Sequence, residues 1–288
     1  MPTVNTRATP RLHPVLCDLD GVVWLSHHPI PGSVEAIARL RAAGHRVLFV
    51  TNNSFSTLDE QVAALERIGV PAEGDVLTSS MAAATLVSNG DRVLVCGGPG
   101  IIEAMRGAGA EVVSHDEFDA GGSVVVDAVV VGFHRHFDYE ALRRAARAVG
   151  EGARLIGANE DATYPTPDGE IPGGGSILAA IRTAAGVHPI VAGKPHPAMA
   201  DLVAATVGAV DPRAVMVGDR LDTDGRFARA LGCRFAWVRS GVVPPSADGP
   251  VDPANGRGTS SPDGPVGSIA GDIVAADLAG VAQVILGG

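Results

Sequence analysis

Short apolar runs recur along this chain, each broken by Gly, Pro or small polar residues and then followed by apolar positions three or four apart. Val15-Leu16-Cys17, Arg46 to Val50, Val93 to Cys96, Ala128 to Val131, Leu155-Ile156, Ile190-Val191, Ala214 to Val217 and Phe235 to Val238 read as strands. The stretches between them carry helical spacing. Apolar residues at 34, 37 and 40 predict a helix over 34–43, with Ser33 in the Pro31-Gly32-Ser33 turn as its N-cap and Gly44 as its stop. Leu58, Val62, Leu65 and Ile68 predict another over 57–68, stopped by Gly69. Further helices are predicted over 101–108, 139–149, 176–185, 198–207 and 223–231, and a last strand and helix over 272–286. Strands separated by helices and short loops imply parallel sheets and an α/β fold.

Residues 241–268 break this grammar. They are rich in Pro, Gly and Ser and nearly lack large apolar side chains, which predicts a long surface loop. No internal repeat is present.

Composition narrows the function classes. The 288 residues suit a core domain plus an inserted second one. Hydrophobic residues make up 46% and charged residues 19%, which supports a real core and excludes global disorder. The formal net charge of −10 argues against a nucleic-acid partner, and an anionic substrate would need a metal or local cations to overcome that field. Cys17, Cys96 and Cys233 lie far apart with no C-x-x-C spacing, so neither a disulfide framework nor a structural zinc site is expected. That usage, the absence of an apolar leader and the absence of a membrane-length apolar run predict a cytoplasmic protein.

Four polar strings follow predicted strands directly. Asp18-Leu19-Asp20-Gly21 closes the first, and two carboxylates there suit a hard cation such as Mg²⁺ or an ordinary acidic turn. Thr51-Asn52-Asn53-Ser54 offers groups that can bind phosphate oxygens or simply cap the next helix. Gly193-Lys194-Pro195-His196-Pro197 holds a lysine between Gly and Pro, fit to neutralise a phosphate or to face solvent. Gly218-Asp219-Arg220-Leu221-Asp222-Thr223-Asp224 places three acids in six residues; metal ligation by Asp219 stands beside helix N-capping, which fits Asp222 best. Ligands in open α/β sheets gather at the carboxyl ends of the strands, where all four strings fall.

Taken together and in order, these strings resemble the haloacid dehalogenase superfamily of phosphohydrolases. The resemblance is strongest to its NagD-type branch, which includes 4-nitrophenyl, ribonucleotide monophosphate, phosphoglycolate and glycerol-phosphate phosphatases. The matching strings are D-L-D-G-V-V-W, I-P-G-S-V-E-A-I, T-N-N-S, T-Y-P-T-P-D-G-E-I-P-G-G-G-S, G-K-P-H-P and G-D-R-L-D-T-D, within residues 14–240. The resemblance implies a Rossmann-like parallel-sheet core, residues 1–82 and 185–288, with an inserted α/β cap over 83–184 that sets substrate specificity. It implies a Mg²⁺-dependent phosphatase acting on a small phosphorylated metabolite through an aspartyl-phosphate. Asp18 would be the nucleophile, Asp20 the general acid and base, and Lys194 the charge-neutralising group. Asp18, the Asp20 main-chain carbonyl and Asp219 would hold Mg²⁺, with Asp224 in support. Thr51, Asn52 and Asn53 would bind the phosphoryl group, and the cap loop with Asp161, Tyr164 and Asp168 would choose the substrate. A homodimer through the cap is also implied.

Two other activities fit the same strings: a phosphotransferase or mutase using the same aspartyl-phosphate, and a non-catalytic sugar-phosphate or nucleotide binder. Retention of Asp18, Asp20 and Lys194 favours catalysis over mere binding, and a large cap that admits water favours hydrolysis over transfer. The three glycines 173–175 read as turn chemistry, and Cys96-Gly97-Gly98-Pro99-Gly100 does not fit a dinucleotide-binding loop. His196 departs from the branch's usual residue and is expected to face solvent; Trp24 is expected to pack against core or cap.

Overall fold

The computed structural model describes residues 12–120, 124–166, 169–241 and 272–287. Its strands, in chain order, are β1 (Val15–Cys17), β2 (Trp24–Leu25), β3 (His28–Pro29), β4 (Val47–Thr51), β5 (Val76–Thr78), β6 (Arg92–Cys96), β7 (Glu111–Val113), β8 (Ala128–Val131), β9 (Arg154–Gly157), β10 (Thr163–Thr166), β11 (Gly169–Pro172), β12 (Ile190–Val191), β13 (Val215–Gly218), β14 (Arg234–Val238) and β15 (Ile273–Ala275). Six of them form an all-parallel sheet in the order β15-β14-β13-β1-β4-β5. Five more form a second parallel sheet, β12-β9-β8-β6-β7. Two hairpins, β2-β3 and β10-β11, complete the strands.

Burial on both faces explains the unbroken apolar runs. Val15 and Cys17 point to one side of the first sheet, where the helices Ser33–Ala42, Leu58–Arg67 and Leu278–Gly287 cover them. Leu16, Leu48, Val50 and Met216 point to the other side. There the apolar layer runs on without a break into Val93, Val95, Ala128 and Val130 of the second sheet, through the helices Ser79–Ala84, Pro99–Gly107 and Pro197–Val207. The far face of the second sheet packs on the helices Tyr139–Gly150 and Gly174–Ala185. Trp24 is buried in the first core, as expected.

Several local expectations are corrected. Ser33 begins the first long helix instead of capping it: Gly32, with φ +82°, is the N-cap, and Ser33 Oγ donates 2.8 Å to the Val23 carbonyl. Thr57 does cap its helix, in a reciprocal capping box with Glu60. The helix predicted over 223–231 starts as a π-helical turn, Leu221–Gly225, before the α-helix Arg226–Leu231. Asp222 caps nothing there and instead pairs with Arg220 at 3.1 Å. The elements absent from the sequence reading (β5, β7, the four strands of the two hairpins and the helices Ser79–Ala84 and His115–Asp119) are each six residues or shorter, too few to show a period. The loop predicted over 241–268 lies outside the described residues except for Gly241, as does Asp168.

Candidate active site

The first sheet reverses its winding at β1. The chain builds β4 and β5 on one side, then returns to build β13, β14 and β15 on the other. A crevice opens at the carboxyl ends of strands at such a point. Asp18 leaves the end of β1, Thr51 ends β4 and Asp219 follows β13, so strand order alone collects three of the four strings. Loop Gly193–His196 supplies the fourth, with Lys194 Nζ 2.8 Å from Asp18 Oδ1 and 2.7 Å from Asp224 Oδ1.

Lys194 and Asp224 are closed to solvent. Burial works against the ammonium, but the charges of Asp18 and Asp224 outweigh it and hold Lys194 above the usual lysine range. Burial also pushes Asp224 up, helped by Asp18, against the pull of Lys194. Asp20 is pushed up to about 7, first by burial and then by the charge of Asp18. Carboxylate oxygens of Asp18, Asp219 and Asp224 converge within 4.8 Å of one another. With Asp20 beside them, four acids meet one buried ammonium. Hard oxygen donors and a surplus of negative charge fit a divalent cation such as Mg²⁺.

Glycines make this convergence possible. Gly21 has φ +84°, and a Cβ there would lie 2.5 Å from Asp219 Oδ2. A Cβ on Gly218 would lie 2.2 Å from Asp224 Cβ. Asp219 is further held by its carbonyl, which accepts from Trp237 Nε1 at 3.0 Å.

The T-N-N-S string has a denser role than phosphate binding alone. Asn52 Oδ1 accepts from Lys194 N at 2.8 Å, while Asn52 Nδ2 donates to the Lys194 carbonyl at 3.1 Å and to Asp161 Oδ2 at 3.0 Å. The Asn52 carbonyl accepts from Asn159 Nδ2 and Ser79 Oγ. Asn52 thus ties the lysine loop to the 159–163 segment. Asn53 Oδ1 accepts from the amides of Phe55 and Ser56, and Thr51 Oγ1 from the Asn53 amide.

These residues line a cavity of about 470 Å³, with Asp18, Asp20, Thr51, Lys194 and Asp219 at its polar end. Asp161 and Tyr164 face the same cavity. Burial raises Asp161, with Arg220 the largest influence against it, and pushes Tyr164 up to about 12. Phe133 and Tyr164 stack at 5.1 Å and 10°, and Phe55 meets Phe133 edge-on at 5.8 Å. Glycines 173–175 serve close packing: a Cβ on Gly173 would lie 2.4 Å from the Asp161 carbonyl, and one on Gly175 2.2 Å from that of Glu160. His196 does not simply face solvent; its Nε2 lies 2.8 Å from Glu160 Oε1 and holds that carboxyl below the usual range. Sequence reasoning missed Arg220 and Phe133 as lining residues. Arg220 sits inside a recognised string and was there to be found; nothing local marks Phe133.

Known proteins resemble this chain along most of its length. The family model of haloacid dehalogenase-like hydrolases matches residues 15–111, and a related one matches 191–255. A D-glycerol 3-phosphate phosphatase of Mycobacterium tuberculosis is 40% identical over 79% of this chain, and the match spans 63% of that protein. Human chronophin is 34% identical, with 81% of this chain and 82% of chronophin covered. A crystal structure of a Mycobacterium tuberculosis glycerol phosphate phosphatase in complex with magnesium superposes with a TM-score of 0.72 at 38% identity, covering 80% of this chain and 69% of that one.

Proposed function

The chain belongs to the haloacid dehalogenase-like hydrolases and is a phosphatase of their NagD type, and we propose that it hydrolyses small phosphorylated polyols with Mg²⁺ through an aspartyl-phosphate. The observation that carries this reading is the buried Lys194 ammonium bridging Asp18 and Asp224 beside Asp219.

In the proposed reaction, Asp18 attacks phosphorus in line with the leaving oxygen, forming a new P–O bond as the ester P–O bond breaks. Asp20 gives its proton to the departing alkoxide. A water then attacks the aspartyl-phosphate, Asp20 takes its proton, and inorganic phosphate leaves with Asp18 restored. Lys194 lies against the Asp18 carboxylate and would offset charge on the phosphoryl oxygens, where charge neutralisation supplies most of the rate. Asp18, the Asp20 carbonyl and Asp219 would hold Mg²⁺, which neutralises phosphoryl charge when bound. Asp224 positions Lys194. Thr51 and the main chain of Asn52 and Asn53 would receive the phosphoryl group, since the Asn52 and Asn53 side chains are committed elsewhere.

We read residues 83–184 as the inserted cap and 1–82 with 185–288 as the core, with Ile190–Val191 added to the cap's sheet by pairing with β9. Asp161 and Tyr164 would meet the leaving group. The 40% identity to a D-glycerol 3-phosphate phosphatase favours a short hydroxylated one, and the cavity is large enough for it. Self-association through the cap belongs to the same proposal and is read by sedimentation velocity.

Turnover of 4-nitrophenyl phosphate and of glycerol 3-phosphate, with Mg²⁺ and after chelation, tests the proposal. Asp18→Asn should abolish both turnovers while leaving the circular dichroism spectrum unchanged. Full activity in that variant would remove Asp18 as nucleophile, and activity on 4-nitrophenyl phosphate alone would remove the polyol assignment.

A further inference from the structure

Two permanent cations line the catalytic cavity, Lys194 and Arg220. Lys194 is fully committed, its ammonium closed in between Asp18 and Asp224. Arg220 is not. It follows Asp219 in extended backbone, φ −110° and ψ 122°, immediately before the π-helical turn. One edge of its guanidinium, Nε and Nη2, donates to Asp222 Oδ1 and Oδ2 at 3.3 and 3.1 Å. Asp222 is 68% exposed and Arg220 33%, so an outer carboxylate grips the guanidinium. An ion pair that exposed adds little stability, but its two-pronged geometry sets the direction of the group. Nη1, outside that edge, has no hydrogen-bond partner among the described residues.

Asp161, from the segment after β9, offers the complement at the same cavity. Its Oδ2 accepts from Asn52 Nδ2 at 3.0 Å, and its Oδ1 has no hydrogen-bond partner among the described residues. The two side chains act on each other: burial raises Asp161, and the charge of Arg220 is the largest influence against it. An open donor and an open acceptor in one wall suit a neutral hydroxyl, which accepts one hydrogen bond and donates another. A carboxylate in that place would meet Asp161, Asp219 and Glu170 as well as Arg220, and like charges repel.

We propose that Arg220 is a specificity-determining residue, clamping a hydroxyl of the leaving group together with Asp161, so that phosphate esters of polyols are selected over those of plain alcohols. The inference rests on the phosphatase reading above and deepens it. Arg220 Nη1 donates to the hydroxyl oxygen, and the hydroxyl donates to Asp161 Oδ1. An ester without that hydroxyl leaves a guanidinium and a carboxylate desolvated and unpaired, which costs more than the bonds themselves.

Rates on glycerol 3-phosphate and on n-propyl phosphate, which keeps the carbon chain and lacks the hydroxyls, test this with the full chain at saturating Mg²⁺. The wild type is expected to favour glycerol 3-phosphate in kcat/KM by roughly tenfold or more. Arg220→Met should cut that ratio by roughly fivefold or more, and Asp161→Asn should cut it too, because Asn52 holds one oxygen and an amide nitrogen would replace the other. Damage to the metal site or to Lys194 would instead slow both esters alike and leave the ratio in place. If Arg220→Met does not fold, Asp222→Asn carries the test: it releases the guanidinium and should lower the same ratio. A wild-type ratio near one, or an unchanged ratio in Arg220→Met, would overturn the clamp and leave the phosphatase reading standing. No turnover of any phosphate ester by the wild type would remove that reading and the clamp with it. A wild-type preference for phosphoglycolate over glycerol 3-phosphate would assign Arg220 to a carboxylate and overturn the proposal.

Discussion

Lys194 Nζ stands 2.7 Å from Asp224 Oδ1, and neither side chain is more than 2% exposed. A buried ion pair is costly to assemble, and losing one partner strands the other charge in the interior. Lys194→Met leaves Asp18 and Asp224 facing each other without their ammonium. It is expected to lower unfolding free energy by about 3–5 kcal/mol and to abolish turnover. Urea unfolding reads the first. The double variant Lys194→Met/Asp224→Asn should regain part of that stability but no activity.

Asn52 shows how the site is held together. Its amide links Lys194 of one segment to Asp161 of another. Asn52→Ala is expected to lower kcat/KM for 4-nitrophenyl phosphate by roughly 10–100-fold, equivalent to about 1.4–3 kcal/mol of lost hydrogen bonding. The fall should sit in kcat, because a displaced ammonium fails in the transition state. A rise in KM alone would assign Asn52 to ground-state phosphate binding instead.

Close approach of backbone to Asp219, a metal ligand in the proposed reaction, gives a third outcome. Gly21→Ala forces a methyl against Asp219 Oδ2 at a φ of +84°. Backbone strain alone is worth about 1–2 kcal/mol. Gly74→Ala shares the left-handed φ, +73°, but meets nothing within 4 Å. Both should lose stability, and only Gly21→Ala should raise the Mg²⁺ concentration needed for half-maximal activity.

Asp20 makes the metal-free protein sensitive to pH. Its folded pKa of about 7 lies above the unfolded value of about 3.8. Between those values the native state binds the extra proton, so stability falls as pH rises. After chelation the melting temperature should drop from pH 5 to pH 8, by an amount of order 1–4 kcal/mol in unfolding free energy. Asp20→Asn should remove that part of the slope.

The core strands were legible because strands buried on both faces carry apolar runs unbroken by polar positions. Phe133, by contrast, is one aromatic in a loop; only the stacking with Tyr164 at 5.1 Å gives it a place in the cavity. Ser33 misled for a related reason. Its hydroxyl was free to cap a helix locally, but the Val23 carbonyl, ten residues earlier, took it instead.

By itself the sequence determined the alternation of strand and helix and the placing of four polar strings at strand ends. Both depend on neighbours a few residues away, which a linear pattern records. Only the tertiary structure decided how those strings meet: the lysine shared by Asp18 and Asp224, Asn52 tied to Asp161 across 109 residues, and His196 paired with Glu160. Charges and hydrogen bonds act at about 3 Å through space, whatever the distance along the chain. That distance is settled by sheet order and close packing.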